Sequence, residues 1–299
     1  MAPELCGGAP AGAVDRYGLR ALVRQAAGRL AAAGVTSPQV DARILVEHLL
    51  GRALLLADGA DGDFPAAYDA LVLRRECREP LQHIIGRMWL RGAELISRPG
   101  VFIVRPETEV LAGLAIDEAR SVVGTRGEAR VVDLCTGSGA IALAVATEAA
   151  RTEVWAVEKE PDPFALACHN RDRIGARGVH LERGDATNLA TLHFLNGLVD
   201  VVVTNPPYVP ADEMPTQPEA SADPHSALYG GSEDGLDIPA RIIRRALTLL
   251  RPGGLLLMEH SPSQDEALRA YATSVGMVDA ATEADLTGRM RFLRARTPR

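Results

Sequence analysis

The sequence predicts an α/β protein in which a doubly wound sheet follows a small helical bundle. Three observations carry this reading. From Pro106 onward, short apolar runs alternate with stretches of helical period. A glycine loop, Thr136-Gly137-Ser138-Gly139, stands between the first of those runs and a helical stretch. Residues 15–77, in contrast, carry apolar side chains at helical spacing only.

In chain order, Val14, Tyr17, Leu19, Leu22, Val23 and Leu30 make a first apolar stripe. Val40, Ile44, Leu45, Leu49 and Leu50 make a second, and Tyr68, Leu71 and Val72 a third. Thr36-Ser37-Pro38 is a helix start, and the glycine-bearing stretch 58–63 is a loop. These features predict a helical domain over residues 1–77 with no catalytic constellation of its own. Residues 81–86, 88–90 and 100–104 read as short extended segments punctuated by Gly86, Gly92, Pro99 and Gly100, so residues 78–105 are expected to form a β-hairpin linker. The third region, 106–299, holds the sheet. Its strands are expected at 131–134, 154–157, 179–181, 201–204 and 255–258, with helices at 141–150, 164–174 and 238–250 between them. Residues 290–294 read as a closing edge strand. The stretch 209–237, with Pro210, Pro215, Pro218 and Pro224, is long enough to be a functional loop.

Composition narrows the class of function. The 299 residues are 47% hydrophobic and 24% charged, enough to bury a sizeable core in one or two domains. No basic N-terminal region precedes an apolar stretch, and no run reaches the roughly 18 apolar residues of a membrane span. Four cysteines without a CxxC pattern suggest reduced thiols and a cytoplasmic location. The net charge is −7, divided as +1 over the first hundred residues and −8 over the rest, which argues against a grip on duplex nucleic acid. Seven histidines show no paired ligand spacing, so no metal is expected.

Two motifs carry chemistry. The first is Asp133-Leu134-Cys135-Thr136-Gly137-Ser138-Gly139, where glycines let the backbone approach a ligand at a helix N-terminus. Glu158 follows Gly139 by 19 residues, at the end of the second strand, where a carboxylate can accept from both hydroxyls of a ribose. This motif alone indicates an adenosine cofactor, and a nicotinamide dehydrogenase remains open. The second motif is Asn205-Pro206-Pro207-Tyr208, at the carboxyl end of the fourth strand, where α/β sheets bind ligands. It gives a dehydrogenase nothing to do, and it suits methylation of a planar nitrogen. The lone pair of an amide or aromatic NH₂ is delocalised, so the nitrogen needs two acceptors for its two N–H groups as it pyramidalises and gains charge. Asn205 offers its side-chain oxygen and Pro206 its carbonyl, no proline N–H competes, and Tyr208 offers a face to pack on. Both acceptors bind more tightly as the charge develops, which is differential stabilisation of the transition state.

With these residues in place the chain resembles the HemK/PrmC family, enzymes that use S-adenosylmethionine to methylate the glutamine amide in the GGQ motif of bacterial peptide chain release factors. The resemblance covers nearly the whole chain. It runs through REPLQHIIG from Arg78, FIVRPETE from Phe102, DLCTGSGAIALA from Asp133, GDA from Gly184, NPPYVP from Asn205 and LYGGSEDGLD from Leu228. It implies a class I S-adenosylmethionine-dependent methyltransferase, with a Rossmann-like sheet of seven strands. It implies that Cys135, Thr136, Gly137, Ser138 and Gly139 wrap the methionine part of the cofactor, that Glu158 holds the ribose, and that Asp185 and Ala186 border the adenine. Asn205, Pro206, Pro207 and Tyr208 would hold the substrate glutamine, with Asn205 also facing the cofactor, and Phe102 and Arg105 would form a lid. It also implies a monomer whose helical domain recognises the protein substrate, with no direct contact to duplex nucleic acid or membrane. The chain departs from the commoner family pattern at Val104, at Cys135 and at Glu259-His260-Ser261. The alternatives are glutamine methylation of a ribosomal protein and N6-methylation of adenine.

Overall fold

In the computed structural model, which describes residues 13–213 and 218–299, helices form over the three expected stripes, but Tyr17 and Val40 point to solvent, and Val14 and part of the expected 58–63 loop form short strands instead. β1 (Val14–Asp15) pairs with β2 (Gly59–Ala60). α1 (Arg16–Ala32) begins at Asp15, whose carboxylate accepts from the Gly18 amide at 2.7 Å. α2 (Pro38–Leu50) has proline in its first turn and stops at Gly51, where φ is 64°. α3 (Phe64–Glu76) completes the bundle around Leu19, Leu30, Leu45, Val46, Tyr68 and Val72. The Tyr68 hydroxyl donates to the Ala42 carbonyl at 2.8 Å, so the ring is buried without an unpaired polar atom.

The described residues divide into two units. The first holds residues up to Gly86 together with the 3-10 turn Pro218–Ala222. A buried charge network runs through it. Arg75 reaches Asp41 at 2.7 Å and Glu219 at 2.8 Å, and Arg78 donates to both oxygens of Glu219 at 2.9 and 2.8 Å. Cys6 and Pro215, singled out in the sequence, lie outside the described residues.

Two extended segments expected from the sequence are corrected. Residues 81–85 form α4 (Leu81–Ile85), a short helix. Leu81, Ile84 and Ile85 stand at i, i+3 and i+4, so one helical turn turns all three toward the core, whereas a strand would split them between two faces. The Pro80 carbonyl accepts from the Ile84 amide at 3.1 Å, and Gly86 at φ 72° ends the turn. The hairpin is confined to β3 (Arg87–Leu90) and β4 (Ala93–Ile96), with Met88 opposite Leu95. Residues 101–104 lie outside any strand. The Ile103 amide donates to the Asp223 carboxylate at 3.1 Å, and Arg105 pairs with the same carboxylate.

The second unit comprises Arg87 onward and resumes at Asp223. α5 (Pro106–Arg126) leads into β5 (Ala129–Leu134), α6 (Ala140–Glu148), β6 (Thr152–Glu158), α7 (Pro161–Ile174) and β7 (Val179–Arg183). β8 (Val199–Thr204) follows, then the short helix α8 (His225–Leu228), α9 (Asp237–Leu249), β9 (Leu250–Glu259), α10 (Asp265–Ser274), β10 (Val278–Ala284) and β11 (Met290–Arg296). The sheet has seven strands in the order β10-β11-β9-β8-β5-β6-β7. Only β11 runs antiparallel, against both β9 and β10. The expected closing edge strand at 290–294 is therefore an inner strand, and β10 is the edge. β10 (VDAATEA) escapes a hydropathy reading because a half-exposed edge needs little apolar area, and its register breaks near Asp279, at φ 54°.

Alternate strand residues face opposite cores. Val131, Val201, Val203 and Leu257 pack with α5 and α6, while Val132, Val202, Leu256 and Met258 pack with α9 and α10. The chain leaves β5 for β6 and β7 on one side and returns through β8 and β9 on the other, so the order reverses at β5. A ligand crevice belongs at that reversal, beyond the carboxyl ends of β5 and β8.

The buried network in the helical unit predicts unequal losses. Arg75→Ala strands Asp41 and Glu219 and is expected to lower the unfolding free energy by about 3–5 kcal/mol. Arg294→Ala, at a half-exposed pair with Glu283, is expected to cost less than about 1 kcal/mol. Urea unfolding followed by circular dichroism measures both, and equal losses would contradict the assignment.

Candidate functional site

The carboxyl end of β5 is shaped by a buried carboxylate. Asp133 accepts from the Thr136 hydroxyl at 2.5 Å and from the Ala142 amide at 3.1 Å, which ties the strand end to the first turn of α6. Burial pushes its carboxyl up to about 7, against the pull of those two bonds. Between strand and helix the backbone enters the left-handed region three times, at Cys135 (φ 62°), Gly137 (57°) and Gly139 (86°). Gly139 is needed for packing, since a Cβ there would press on Leu143 and Ala167 at 3.3–3.4 Å. At Gly137 a Cβ would meet nothing within 4 Å, so its backbone lies bare to the open cavity. Cys135 takes a conformation that costs a side-chain-bearing residue about 1–3 kcal/mol, a cost that glycine would not carry. Burial, with the nearby Glu158 and Asp133 carboxylates, raises its thiol, which disfavours the thiolate.

Glu158, at the end of β6, is 8% exposed and reaches back to this loop. One oxygen accepts from the Gly137 amide at 2.8 Å, the other from the Glu160 amide at 2.8 Å. Burial raises its carboxyl above the usual range, opposed by the backbone amides that favour the ionised form. Beyond β7, Asp185 accepts from the Thr187 amide at 2.8 Å and hydroxyl at 2.7 Å. Burial pushes Asp185 up, but these bonds win and its carboxyl lies below the usual range.

Beside this loop stands the second motif. Leu134 and Thr204 are register partners in the parallel pair β5–β8, and the Thr204 hydroxyl donates to the Leu134 carbonyl at 2.6 Å. Asn205 therefore leaves its strand at the same level as Cys135. The backbone that follows is held from outside the motif. The Tyr208 and Val209 amides donate to the Leu228 carbonyl at 3.0 and 2.8 Å, and the Tyr208 carbonyl accepts from the Gln264 side chain at 2.8 Å. The glycines of the 228–237 segment have their reason here. A Cβ on Gly235, already at φ 71°, would run into the Tyr208 carbonyl, and one on Gly230 would run into Gly235.

These elements enclose a cavity of about 420 Å³. Cys135, Thr136, Gly137, Ser138, Glu158, Asp185, Ala186, Asn205, Pro207 and Tyr208 line it. Gly139 and Pro206 do not: Gly139 packs against α7, and Pro206 is buried. Phe102 lines the wall, while Arg105 lies behind it, its guanidinium 5.1 Å from the Phe102 ring centroid and paired with Asp223. Lining residues not foreseen include Thr108, Lys159, Thr187, Tyr229 and Arg241. The segments FIVRPETE and LYGGSEDGLD contain two of them, Thr108 and Tyr229, whereas no sequence signal marks Arg241. A carboxylate deep in the wall, a bare glycine backbone and apolar faces from Phe102, Val104, Ile141 and Ala186 suit a nucleoside joined to an amino acid. Among the described residues, no His/Cys/Asp/Glu group is arranged to hold a metal ion.

The PrmC N-terminal domain family matches residues 21–86, and a methyltransferase domain family matches residues 126–288. The chain is 44% identical to the release factor glutamine methyltransferase of Bifidobacterium longum, over 91% of this chain and 97% of that protein. It is 48% identical to the enzyme of the same name from Streptomyces coelicolor, over 93% and 98%. The Corynebacterium glutamicum protein of that name is 40% identical, over 92% and 97%.

The Glu158 geometry generates a binding prediction. Glu158→Ala is expected to weaken S-adenosylmethionine binding by about 1.5–3 kcal/mol, since a charged acceptor for hydroxyls is lost and Gly137 loses its latch. Only the carboxylate accepts from two hydroxyls, so wild-type affinity falls as pH is lowered, beginning above the usual carboxylate range. Glu158→Gln shows a smaller pH dependence. Calorimetry with S-adenosylmethionine and with NADH checks both, and preferential NADH binding would overturn the cofactor assignment.

Proposed function

The chain belongs to the release factor glutamine methyltransferase family, and from that premise we propose how its own residues carry out the reaction. The protein is an S-adenosylmethionine-dependent methyltransferase that acts on the side-chain nitrogen of a release-factor glutamine. The dehydrogenase and adenine readings, open on the motifs alone, give way to it.

Bound in the cavity, S-adenosylmethionine supplies an electrophilic methyl group. The loop Cys135–Gly139 would hold its amino-acid part, with bare backbone at Gly137, Glu158 would accept from the ribose hydroxyls, and Asp185 and Ala186 would border the adenine. The Asn205 side chain, on the cavity wall, would accept from one N–H of the substrate amide, the carbonyl of Pro206, a residue set behind that wall, would accept from the other, and Tyr208 and Pro207 would flank its plane. Neither acceptor has to take a proton in full: as the N–C bond forms, the S–C bond of the sulfonium donor would break to leave a neutral thioether, and the surplus N–H proton would pass to solvent. Each is a fixed dipole whose bond strengthens as positive charge gathers on the nitrogen, and that preorganisation is the catalytic contribution of the segment. The observation that carries this reading is that Glu158 and Asn205 line one cavity.

The same proposal includes the GGQ glutamine as the target and recognition of the release factor by the helical domain, on which Tyr17, Leu55 and Leu56 are exposed. It also includes a cytoplasmic monomer that grips neither duplex nucleic acid nor membrane; the net charge of −7 supports the nucleic-acid part, and among the described residues no helix is long and apolar enough to cross a membrane.

Asn205→Ala is expected to lower kcat by roughly 10²–10³, the scale for removing one preorganised polar group. Affinity for S-adenosylmethionine changes far less, because Gly137 and Glu158 remain. Single-turnover methyl transfer at saturating cofactor, with binding measured separately, tests this. A wild-type rate would reduce the Asn205–Tyr208 segment to a rigid turn.

A further inference from the structure

Behind the cavity wall lies a carboxylate that the reaction as derived does not use. Glu259 is the last residue of β9 and is 1% exposed. It does not line the cavity, but two residues that do, Tyr208 and Thr108, both donate to it. The Tyr208 hydroxyl meets one carboxylate oxygen at 3.1 Å and the Thr108 hydroxyl meets the other at 3.1 Å. From this geometry we infer that Glu259 is a positioning residue for methyl transfer, fixing the Tyr208 ring against the substrate amide through the tyrosine hydroxyl. The inference rests on the reading that Asn205–Tyr208 hold that amide.

Three features support the role. Both carboxylate oxygens are engaged by hydroxyls of the wall, so Glu259 is built as an acceptor and has no open path to a substrate proton. Its partners come from different elements, Thr108 from the first turn of α5 and Tyr208 from the exit of β8, so it joins the Phe102 side of the cavity to the amide side. Tyr208 is also gripped at its backbone by Gln264, whose side chain donates to the Tyr208 carbonyl at 2.8 Å and to the Asp234 carbonyl at 2.9 Å. With ring and backbone both fixed, the residue has little freedom to turn its face away from the substrate. A buried acid is a costly way to hold a ring, and burial drives the Glu259 carboxyl up to about 7 while the two hydroxyls and Arg291 oppose the rise and Glu107 adds to it. A hydrophobic wall would stabilise the fold as well but would offer the Tyr208 hydroxyl no acceptor.

A coupling cycle tests the inference. Glu259→Gln, Tyr208→Phe and the double variant are prepared as full-length protein and assayed for methyl transfer to purified release factor, with Asn205→Ala alongside. Each single variant is expected to lower kcat about 10-fold, with the KM for release factor and the Kd for S-adenosylmethionine within two-fold of wild type. The double variant is no slower than the singles within two-fold, because both remove the same constraint. Multiplicative losses, or a Kd that worsens as much as the rate, would overturn the inference and make Glu259 a general structural residue. If Glu259→Gln does not fold, Tyr208→Phe decides alone: a 10-fold fall in kcat at unchanged KM supports the role, and a wild-type rate overturns it. Should Asn205→Ala lose activity while these variants keep theirs, only this inference falls. Should Asn205→Ala also keep it, the amide site itself is misassigned.

Discussion

The register of two parallel strands governs everything that follows in this protein. β5 and β8 are neighbours at the reversal of the sheet, with Leu134 paired to Thr204. Each strand therefore ends at the same level, and the next residue of each, Cys135 and Asn205, begins a functional segment. A shift of one residue would move alternate side chains to the wrong face and set the two segments at different heights. The Thr204 hydroxyl on the Leu134 carbonyl, at 2.6 Å, pins that level where the ladder stops.

The features around the crevice can be read as means of holding two irregular segments that a sheet cannot hold by itself. On the cofactor side a buried Asp133 and a nearly buried Glu158 replace ladder partners with carboxylate acceptors. Both pay in desolvation, and both sit above the usual carboxylate range for that reason. On the substrate side the Leu228 carbonyl, the Gln264 side chain and the close approach of Gly235 do the same for Asn205–Tyr208. In the mechanism we propose, preorganisation of this kind would let two hydrogen-bond acceptors act as catalytic groups, because nothing would have to reorganise as charge appears on the substrate nitrogen.

The sheet core was legible because its strands are near-continuous apolar runs buried on both faces, as in Val131-Val132-Asp133-Leu134 and Val201-Val202-Val203-Thr204. The position of Glu158, Asn205, Pro207 and Tyr208 on one cavity was legible for a related reason, since strand ends in this fold face the ligand crevice. Four features were not legible. The edge strand β10 buries too little to leave an apolar signature. The helix at Leu81–Ile85 is too short for periodicity to separate it from a strand. Pro206 and Gly139 sit in functional motifs but off the cavity surface, since a motif fixes sequence neighbours and not the direction each faces. Glu259 was visible only within the Glu259-His260-Ser261 departure and Gln264 not at all, and both bond to Tyr208, more than fifty residues earlier in the chain.

The central claim is that this crevice places a methyl donor against a side-chain amide. Peptide mass spectrometry after incubation of purified release factor with deuteromethyl-labelled S-adenosylmethionine tests it most directly. The account predicts one labelled methyl group on the side-chain nitrogen of the glutamine in the GGQ motif. Label on another residue, on nucleic acid, or nowhere in a release factor that this protein binds would contradict it.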